Sequence, residues 1–276
     1  MSIDYEAEYN NRRRVPESGE IVARWLEQAA RARASLPGEL DIVYGPGARH
    51  RYDLFLANGG GKPDTPLIVY IHGGYWQRGD RSEYSFVAEQ LAARGADVVL
   101  PSYSLCPQVS VAEITDEIRS FLVALWSRFQ RRAVVVGHSA GGHLAAEMIA
   151  TDWSKHPAVP ADLVRAGYAI SGVFELAPLI PTSLNEALRL TPDSAQAASP
   201  LFGRVPSPGS SFVAGVGGAE SGEFLRQSRD LAAAWSAAGI EAQSVVVPDA
   251  NHFTVVDELS RPGSAMIERI LQLTQV

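Results

Sequence analysis

A serine with glycines two positions before and two positions after it occurs in GHSAG at 137–141. The motif follows the apolar run AVVVG and opens the segment AGGHLAAEMIA, which has helical spacing. A serine can act as a nucleophile when it projects from a sharp turn between a strand and a helix, where side chains at 137 and 141 would collide with the turn. The spacing therefore predicts that Ser139 attacks an ester or amide carbonyl. The alternative is a tight glycine turn with an idle serine.

A second glycine motif, HGGYW at 72–76, directly follows the apolar run PLIVYI. Glycines free the backbone to turn its N–H groups toward a substrate carbonyl, and such donors stabilise the oxyanion of a tetrahedral intermediate. We predict that the amides of Gly74, Tyr75 and Ala140 form this oxyanion hole. The other residues of the motif that we assign to the site are His72, Gly73 and Trp76.

A general base must take the serine proton, and His252 is the best placed of the six histidines. It follows the run QSVVVP and precedes the last helical segment, so it should lie in a loop at the edge of the sheet from which the serine projects. The other five are poorer candidates: His138 and His143 are too close in sequence to Ser139 to aim at its hydroxyl, His72 belongs to the glycine loop, and His50 and His156 lie in polar turns.

An acidic residue that orients the histidine should follow the strand that precedes the histidine's own strand. That strand is SFVAGVG, and Glu220 comes soon after it. Glu223 would point along the next helix, and Asp249, three residues before the histidine, would need the backbone to fold back sharply. We predict Glu220 as the acid and keep Glu223 and Asp249 as alternatives.

The sequence predicts neither a metal site nor a cofactor. It contains no His-Glu-x-x-His and no paired Cys-x-x-Cys motif, and the glycines at 215–218 match neither dinucleotide nor phosphate-loop spacing. The single cysteine, Cys106, has no glycine elbow around it, so we interpret it as a small buried or loop thiol rather than a nucleophile. Because one cysteine cannot form an intrachain disulfide, a reducing cytoplasm is the expected location.

Composition and charge indicate an ordinary globular chain. Its 276 residues are 46% apolar and 20% charged, which suits a single domain over 1–276. The net charge of −7 and a single basic cluster at 12–14 argue against a nucleic-acid partner. The polar start MSIDYEAEYNN does not resemble a secretory signal, and no apolar run approaches the roughly 20 residues that cross a bilayer. We expect a small-molecule substrate and no membrane partner.

Short β-branched runs alternate with helical segments along the chain. This alternation predicts an α/β fold, with a mostly parallel eight-stranded sheet, helices on both faces and an antiparallel pair of strands at the start. The predicted strands cover 40–44, 52–57, 66–72, 96–101, 133–137, 166–171, 211–217 and 243–248. The clearest helical segments begin at 82, 109 and 222, the last with Gly239 as its C-cap.

The proline-rich stretch 172–210 breaks this rhythm and permits only short helices. Insertions in open α/β folds commonly lie over the carboxyl ends of the strands. We therefore predict that this segment is a lid or a wall of the pocket.

Four segments together resemble a known family: HGGYW at 72–76, GHSAG at 137–141, GGAESGEFLRQS from 217 and NHF at 251. They are similar to the kynurenine formamidase (arylformamidase) branch of the α/β-hydrolases, next to the hormone-sensitive-lipase-like esterases, and the likeness spans nearly the whole chain. The resemblance maps nucleophile, acid and base onto Ser139, Glu220 and His252. One departure is that the animal enzymes of the branch carry aspartate at the position of Glu220.

The resemblance implies hydrolysis of N-formyl-L-kynurenine to kynurenine and formate, a step of tryptophan breakdown, and it allows a homodimer. Two alternatives stay open: a carboxylesterase of small acyl esters, and a non-catalytic binding protein with the same fold. Four aromatic residues beside the predicted machinery are candidates for an apolar pocket: Tyr75, Trp76, Phe174 and Phe253.

Overall fold

Eight strands form a single sheet in the computed structural model, which describes residues 3–58 and 60–276. They are β1 (Gly38–Val43), β2 (Arg51–Phe55), β3 (Leu67–Ile71), β4 (Asp97–Pro101), β5 (Ala133–His138), β6 (Ala166–Ile170), β7 (Ser211–Gly217) and β8 (Glu241–Val247). Each predicted strand is present, with its ends within two residues of the predicted bounds. The expectation of an eight-stranded α/β fold is therefore confirmed.

The strands lie in the order β1-β2-β4-β3-β5-β6-β7-β8. β2 pairs in antiparallel fashion with both β1 and β4, and the remaining neighbours are parallel. The connection between β1 and β2 spans only residues 44–50, which is too short for a crossover helix. This agrees with the predicted antiparallel pair at the start of the chain.

Ten α-helices occur in the described residues. They are α1 (Tyr5–Tyr9), α2 (Asn11–Arg14), α3 (Ser18–Ser35), α4 (Ala88–Ala93), α5 (Val111–Phe129), α6 (Ala140–Ala150), α7 (Asn185–Leu188), α8 (Pro192–Ala197), α9 (Gly222–Ala237) and α10 (Ala265–Leu273). Short 3-10 helices cover Arg81–Val87, Trp153–Lys155, Ala177–Leu179, Pro200–Phe202 and Thr254–Leu259.

The helical segment predicted from 82 differs from a single α-helix. It is a 3-10 helix over Arg81–Val87 followed by the short α4. Four consecutive residues, 84–87, are buried, so this turn packs on several sides at once rather than presenting one apolar stripe. Gly239, with φ +87°, follows α9 as predicted for a helix end.

The sheet is buried on both faces, as its continuous apolar strands predict. Along β3, Leu67, Val69 and Ile71 belong to one hydrophobic cluster, whereas Ile68 and Tyr70 belong to the other. The first cluster also contains residues of α5, α6 and α9, and the second contains residues of α3, α4 and α10. Helices therefore cover both faces, and the carboxyl edge of the parallel strands stays available for a site.

The stretch 172–210 contains α7, α8 and two 3-10 helices, which matches the expected short helices. It reaches the glycine loop through a hydrogen bond of 2.9 Å from Gln77 Nε2 to the carbonyl oxygen of Leu184. Within residues 3–58 and 60–276, no helix is both long and apolar enough to span a bilayer.

Candidate active site

Ser139 lies at the corner between β5 and α6, with φ +55° and ψ −117°. These angles fall outside the regions that L-residues normally adopt, a strain of about 1–3 kcal/mol that the surroundings must hold in place. The Ser139 amide donates to the Ile170 carbonyl at 2.8 Å, and its carbonyl accepts from the His143 amide at 3.0 Å. The serine is therefore presented on a fixed turn.

The two flanking glycines are required by close backbone contacts. A Cβ at Gly137 would lie 2.0 Å from the carbonyl oxygen of Gly141, and a Cβ at Gly141 would lie 2.0 Å from the carbonyl oxygen of Ile71. No side chain fits at either position, which is the steric reason for the spacing seen in the sequence.

His252 and Glu220 form a buried pair. His252 Nδ1 lies 2.6 Å from Glu220 Oε2, and both side chains are almost fully inaccessible to solvent. The other carboxylate oxygen of Glu220 accepts from the Ser171 hydroxyl at 2.5 Å and from the Gly217 amide at 2.7 Å. With both of its oxygens bonded, the carboxylate is held in one orientation and can fix the imidazole tautomer.

The two alternative acids lie elsewhere. Glu223 is in the first turn of α9, where it accepts from the Tyr9 hydroxyl at 2.8 Å and pairs with Arg226. Asp249 is exposed, at a turn with φ +59°. Of the three candidates, Glu220 is the one that bonds to His252.

Ser139 and His252 line the same cavity. In the part of the chain that the structure describes, no hydrogen bond joins the Ser139 hydroxyl to the His252 ring. Catalytic hydrogen bonds are often long before substrate binds. The pair Glu220–His252 is thus hydrogen-bonded in this structure, whereas the Ser139 hydroxyl and the His252 ring share only the cavity.

The glycine loop turns back beside the serine. Gly74, Tyr75 and Trp76 all have positive φ, at +115°, +51° and +55°. The Gly74 carbonyl accepts from the amides of Gln77 and Arg78 at 3.0 and 3.1 Å, which closes the turn. Gly74 and Tyr75 line the cavity that also contains Ser139.

Gly73 and His72 begin this loop, and each packs closely against a neighbouring residue. A Cβ at Gly73 would lie 3.1 Å from Ser139 Cβ, so the loop passes directly against the serine. His72 stacks on Tyr103 at 4.3 Å, and its carbonyl accepts from the Tyr103 hydroxyl at 2.8 Å. Burial lowers the pKa of His72 to about 4, so the ring is neutral near pH 7 and has a packing role.

His138, next to the serine, contacts the predicted base. Its Nε2 lies 2.8 Å from the His252 carbonyl oxygen, and the two rings are 4.7 Å apart. Burial holds the pKa of His138 well below its usual range. The neutral ring can therefore donate Nε2–H to that carbonyl and anchor the loop that carries His252.

The cavity has a volume of about 480 Å³. Its aromatic and aliphatic wall consists of Tyr9, Val22, Trp25, Leu26, Tyr75, Tyr84, Leu184 and Phe253. Two of the aromatic residues singled out in the sequence, Tyr75 and Phe253, thus line the cavity.

The predicted pocket role of two other aromatic residues is wrong. Trp76 is fully buried, and its ring packs edge-on against His143 at 5.0 Å, because the positive φ values of the loop turn it into the core. Phe174 is also fully buried and packs against Phe212. Neither contributes to the cavity wall.

The N-terminal helices supply wall residues that the sequence analysis missed. Residues of α1, α2 and α3, together with Asn10 between the first two helices, contribute Tyr9, Asn10, Asn11, Arg12, Val22, Trp25 and Leu26 to the cavity, whereas the stretch 172–210 contributes Ser183 and Leu184. A signal existed in α3, where Val22 and Leu26 widen the apolar stripe formed by Ile21 and Trp25. That extra width indicates a second apolar surface beside the core.

The described residues contain no group of three or more His, Cys, Asp or Glu side chains that could hold a metal ion. Cys106 is buried, and burial raises the pKa of its thiol to about 11. The thiol is therefore protonated near neutral pH and is not a competing nucleophile.

The family described as alpha/beta hydrolase fold matches residues 68–256, which is more than half of the chain. The chain belongs to the α/β-hydrolase family. Two relatives are kynurenine formamidases. The one from Danio rerio is 29% identical over 249 residues, covering 88% of this chain and 84% of the relative. The one from Salmo salar is 30% identical over 240 residues, covering 84% and 81%.

Solved structures agree with this placement among the α/β-hydrolases. A structure named as a proposed thioesterase, from Silicibacter sp. TM1040, has a TM-score of 0.86 and 34% identity, covering 98% of this chain and 100% of that one. An esterase of the bacterial hormone-sensitive lipase family has a TM-score of 0.70 at 20% identity, covering 94% and 97%. The second likeness concerns the fold alone. The chain is therefore a hydrolase related to enzymes that cleave acyl esters and amides.

Proposed function

We propose that this α/β-hydrolase cleaves the formamide of N-formyl-L-kynurenine, with Ser139 as nucleophile, His252 as general base and Glu220 as the orienting acid. The observation that carries the mechanism is the buried Glu220–His252 pair at 2.6 Å, whose His252 lines the same cavity as the strained serine. The substrate is supported by the similarity to kynurenine formamidases over more than four fifths of the chain.

The first half of the reaction transfers the formyl group. Ser139 Oγ attacks the formyl carbon while His252 Nε2 takes the hydroxyl proton. The carbonyl oxygen becomes an oxyanion, and the amides of Gly74, Tyr75 and Ala140 would donate to it. The C–N bond then breaks, His252 returns the proton to the arylamine nitrogen, and the amine leaves.

The second half removes the formyl group from the serine. A water molecule attacks the formyl ester carbon and gives one proton to His252. The C–Oγ bond breaks, the proton on His252 returns to Ser139, and formic acid leaves and gives up its remaining proton to water to become formate. Glu220 does not take the proton in this scheme, and it stabilises the imidazolium that forms twice in the cycle.

The residues that line the cavity are compatible with a small acyl group attached to an aromatic amine. Formyl carries no side chain, so it needs little space between the glycine loop and the serine. The aryl ring would lie among Trp25, Tyr84 and Phe253, where flat apolar surfaces can contact its faces.

A second candidate is a carboxylesterase or thioesterase of small acyl groups. It is favoured by the proposed thioesterase at 34% identity and by relatives that are named as esterases. The same serine, histidine and acid would act, and only the leaving group would differ. The third candidate function, a non-catalytic binding protein, is disfavoured because each position that the reaction needs holds a residue that can perform its chemical role.

The deciding experiment measures turnover of N-formyl-L-kynurenine, p-nitrophenyl acetate and an acetyl thioester by the native protein and by Ser139→Ala. We expect formamide turnover that falls by about 10⁴-fold or more in the variant. Turnover of the ester or thioester without the formamide would keep the serine mechanism and overturn the substrate. Substrate binding without turnover of any of the three would support the binding protein.

A further inference from the structure

Three charged residues line the cavity without forming a close ion pair. They are Arg12 on α2, Arg78 just after the glycine loop, and Glu83 on the 3-10 helix Arg81–Val87. Among the described residues, none of their side chains forms an ion pair within 4.0 Å or a hydrogen bond to another protein group. Other charged residues do form ion pairs: Arg226, for example, pairs with Glu175, Glu223 and Asp230.

Glu83 is the most informative of the three because it is half-buried. Burial, reinforced by the negative charge of Asp80, raises the pKa of Glu83 above its usual range. A carboxylate that loses water without gaining a partner is destabilised. A cation placed in the cavity would stabilise the ionised carboxylate of Glu83, and an ammonium group could also donate hydrogen bonds to it.

The two arginines are exposed, so they lie toward the open side of the cavity. The Arg78 amide donates to the Gly74 carbonyl, which ties this residue to the turn beside the serine. Arg12 lies close enough to Glu83 for its positive charge to act on that carboxylate. Guanidinium groups bind carboxylates well because their donors match the two oxygens.

We propose that these residues bind the α-amino-acid group of the substrate, with Glu83 holding the ammonium and Arg12 and Arg78 holding the carboxylate. This inference rests on the proposed function and adds the basis of its substrate selectivity. The formyl group would lie at Ser139 and the ring among the cavity's aromatic residues. The charged amino-acid group would lie beside Arg12, Arg78 and Glu83, which we call the rim of the cavity. A neutral aryl formamide would reach the serine but would leave the rim charges without partners.

The test uses four formamides that carry both, one or neither of the two charged groups. They are N-formyl-L-kynurenine, its deamino analogue, its decarboxylated analogue, and ortho-formamidopropiophenone, which lacks both groups. We expect the native protein to lose about tenfold in kcat/KM when the ammonium is removed, and about three- to tenfold when the carboxylate is removed, because the rim is partly solvated. The loss should appear mainly in KM, since the two charged groups of the substrate take no part in the bond changes at the formyl carbon.

Variants assign each charge to its residue. In Glu83→Gln, the ratio of kcat/KM for the full substrate to that for the deamino analogue should fall to about one to two. In Arg12→Gln and Arg78→Gln, the ratio of kcat/KM for the full substrate to that for the decarboxylated analogue should fall. The matched controls are Glu27→Gln on the exposed side of α3 and Arg13→Gln beside Arg12, since neither residue lines the cavity. Both controls should keep the native ratios.

The inference and the proposed function can fail separately. If the formamides are cleaved but the ratios in Glu83→Gln stay native, the rim assignment is overturned and the function stands. If no formamide is cleaved, the rim is tested by inhibition of p-nitrophenyl acetate hydrolysis by L-kynurenine and its deamino and decarboxylated analogues. Tighter inhibition by L-kynurenine that weakens in Glu83→Gln supports the rim, and equal inhibition by all three overturns it.

Discussion

The hydroxyl of Tyr75 donates a hydrogen bond of 2.6 Å to the backbone carbonyl oxygen of Tyr9. The same hydroxyl accepts from Asn11 Nδ2 at 3.1 Å. Tyr75 belongs to the glycine loop at positive φ, and Tyr9 ends the first helix of the chain. The N-terminal helices therefore do more than cover the cavity: they fix the loop whose amides are predicted to bind the oxyanion.

Tyr75→Phe should lower kcat about three- to tenfold. The variant removes the two hydrogen bonds that hold the loop and leaves the Tyr9 carbonyl without its donor, while the ring still fills its place. The expected change is in kcat more than in KM, since misplaced oxyanion donors act in the transition state. Steady-state kinetics on the best formamide or ester substrate provide the measurement.

Tyr5→Phe is the control for this variant, because the Tyr5 ring packs against Tyr9 without lining the cavity. It should leave kcat near the native value. If Tyr75→Phe lowers the melting temperature but not kcat, the contact serves folding alone.

The strands and the serine elbow could be predicted because their signals are local. Continuous apolar runs bounded by glycine or proline mark buried parallel strands, and the glycines around Ser139 are required by contacts within one turn. Glu220 and His252 followed from the order of the strands, since residues after adjacent parallel strands meet at the same edge of the sheet.

The N-terminal wall of the cavity depends instead on contacts distant in sequence. Tyr9 is held by Glu223 and Gln227, more than 200 residues away, and no local pattern encodes that docking. Trp76 was misassigned for a related reason. Its place in the motif suggested the pocket, but consecutive positive φ values, which the sequence does not reveal for Tyr75 and Trp76, direct its ring into the core.

Glu220→Gln should lower kcat by about 10³- to 10⁴-fold while the fold stays intact. The amide can keep a hydrogen bond to His252, but it cannot stabilise the imidazolium and it can favour the wrong tautomer. The rate with p-nitrophenyl acetate and the circular dichroism spectrum would be measured together. A loss below tenfold would contradict the assignment of the acid.

Glu223→Gln is the matched comparison, because Glu223 is also buried but pairs with Arg226 and Tyr9 rather than with His252. It should lower stability by about 1–3 kcal/mol and change kcat far less than Glu220→Gln does. The reverse ranking of the two variants in kcat would assign the acid to Glu223.

Glu220→Asp tests how strongly kcat depends on the length of the acidic side chain at this position. Removing one methylene draws the carboxylate back by about 1.5 Å, away from the His252 ring and from the Ser171 hydroxyl. We expect kcat to fall about 10- to 100-fold, well above the rate of the glutamine variant. Equal rates for the two variants would contradict this expectation, since they would show that the shorter carboxylate has no advantage over an amide at this position.

Gly141→Ala should destabilise the protein by more than about 2 kcal/mol. Its Cβ would lie 2.0 Å from the Ile71 carbonyl oxygen and 2.7 Å from that of His72, so the elbow must move away from β3. Urea unfolding measures the loss. Gly19→Ala in α3 is the control, since a Cβ there meets nothing within 4 Å, and it should stabilise by about 0.5–1 kcal/mol. Comparable stability for the two variants would mean that the elbow tolerates a side chain.

Three buried histidines should make the protein lose stability in mild acid. Burial lowers the pKa of His72 and His143 to about 4 and that of His138 well below its usual range. In the unfolded chain these rings bind protons as the pH falls below about 6.5, whereas in the folded protein His72 and His143 stay neutral until about pH 4 and His138 also resists protonation. Because the unfolded state takes up more protons in that window, stability is full above about pH 6.5 and decreases toward pH 4.

Each such histidine adds up to about 1.4 kcal/mol per pH unit to the slope of unfolding free energy against pH. His143→Gln should therefore reduce the slope between pH 5 and 6 by roughly that amount, since glutamine can still donate to the Ala198 carbonyl but binds no proton. Urea unfolding at half-unit pH steps gives both slopes. Between pH 7 and 8 the native and variant slopes should coincide, because His143 is neutral there in both states. An unchanged slope between pH 5 and 6 would show that His143 is protonated in the folded protein, in conflict with its burial against Trp76.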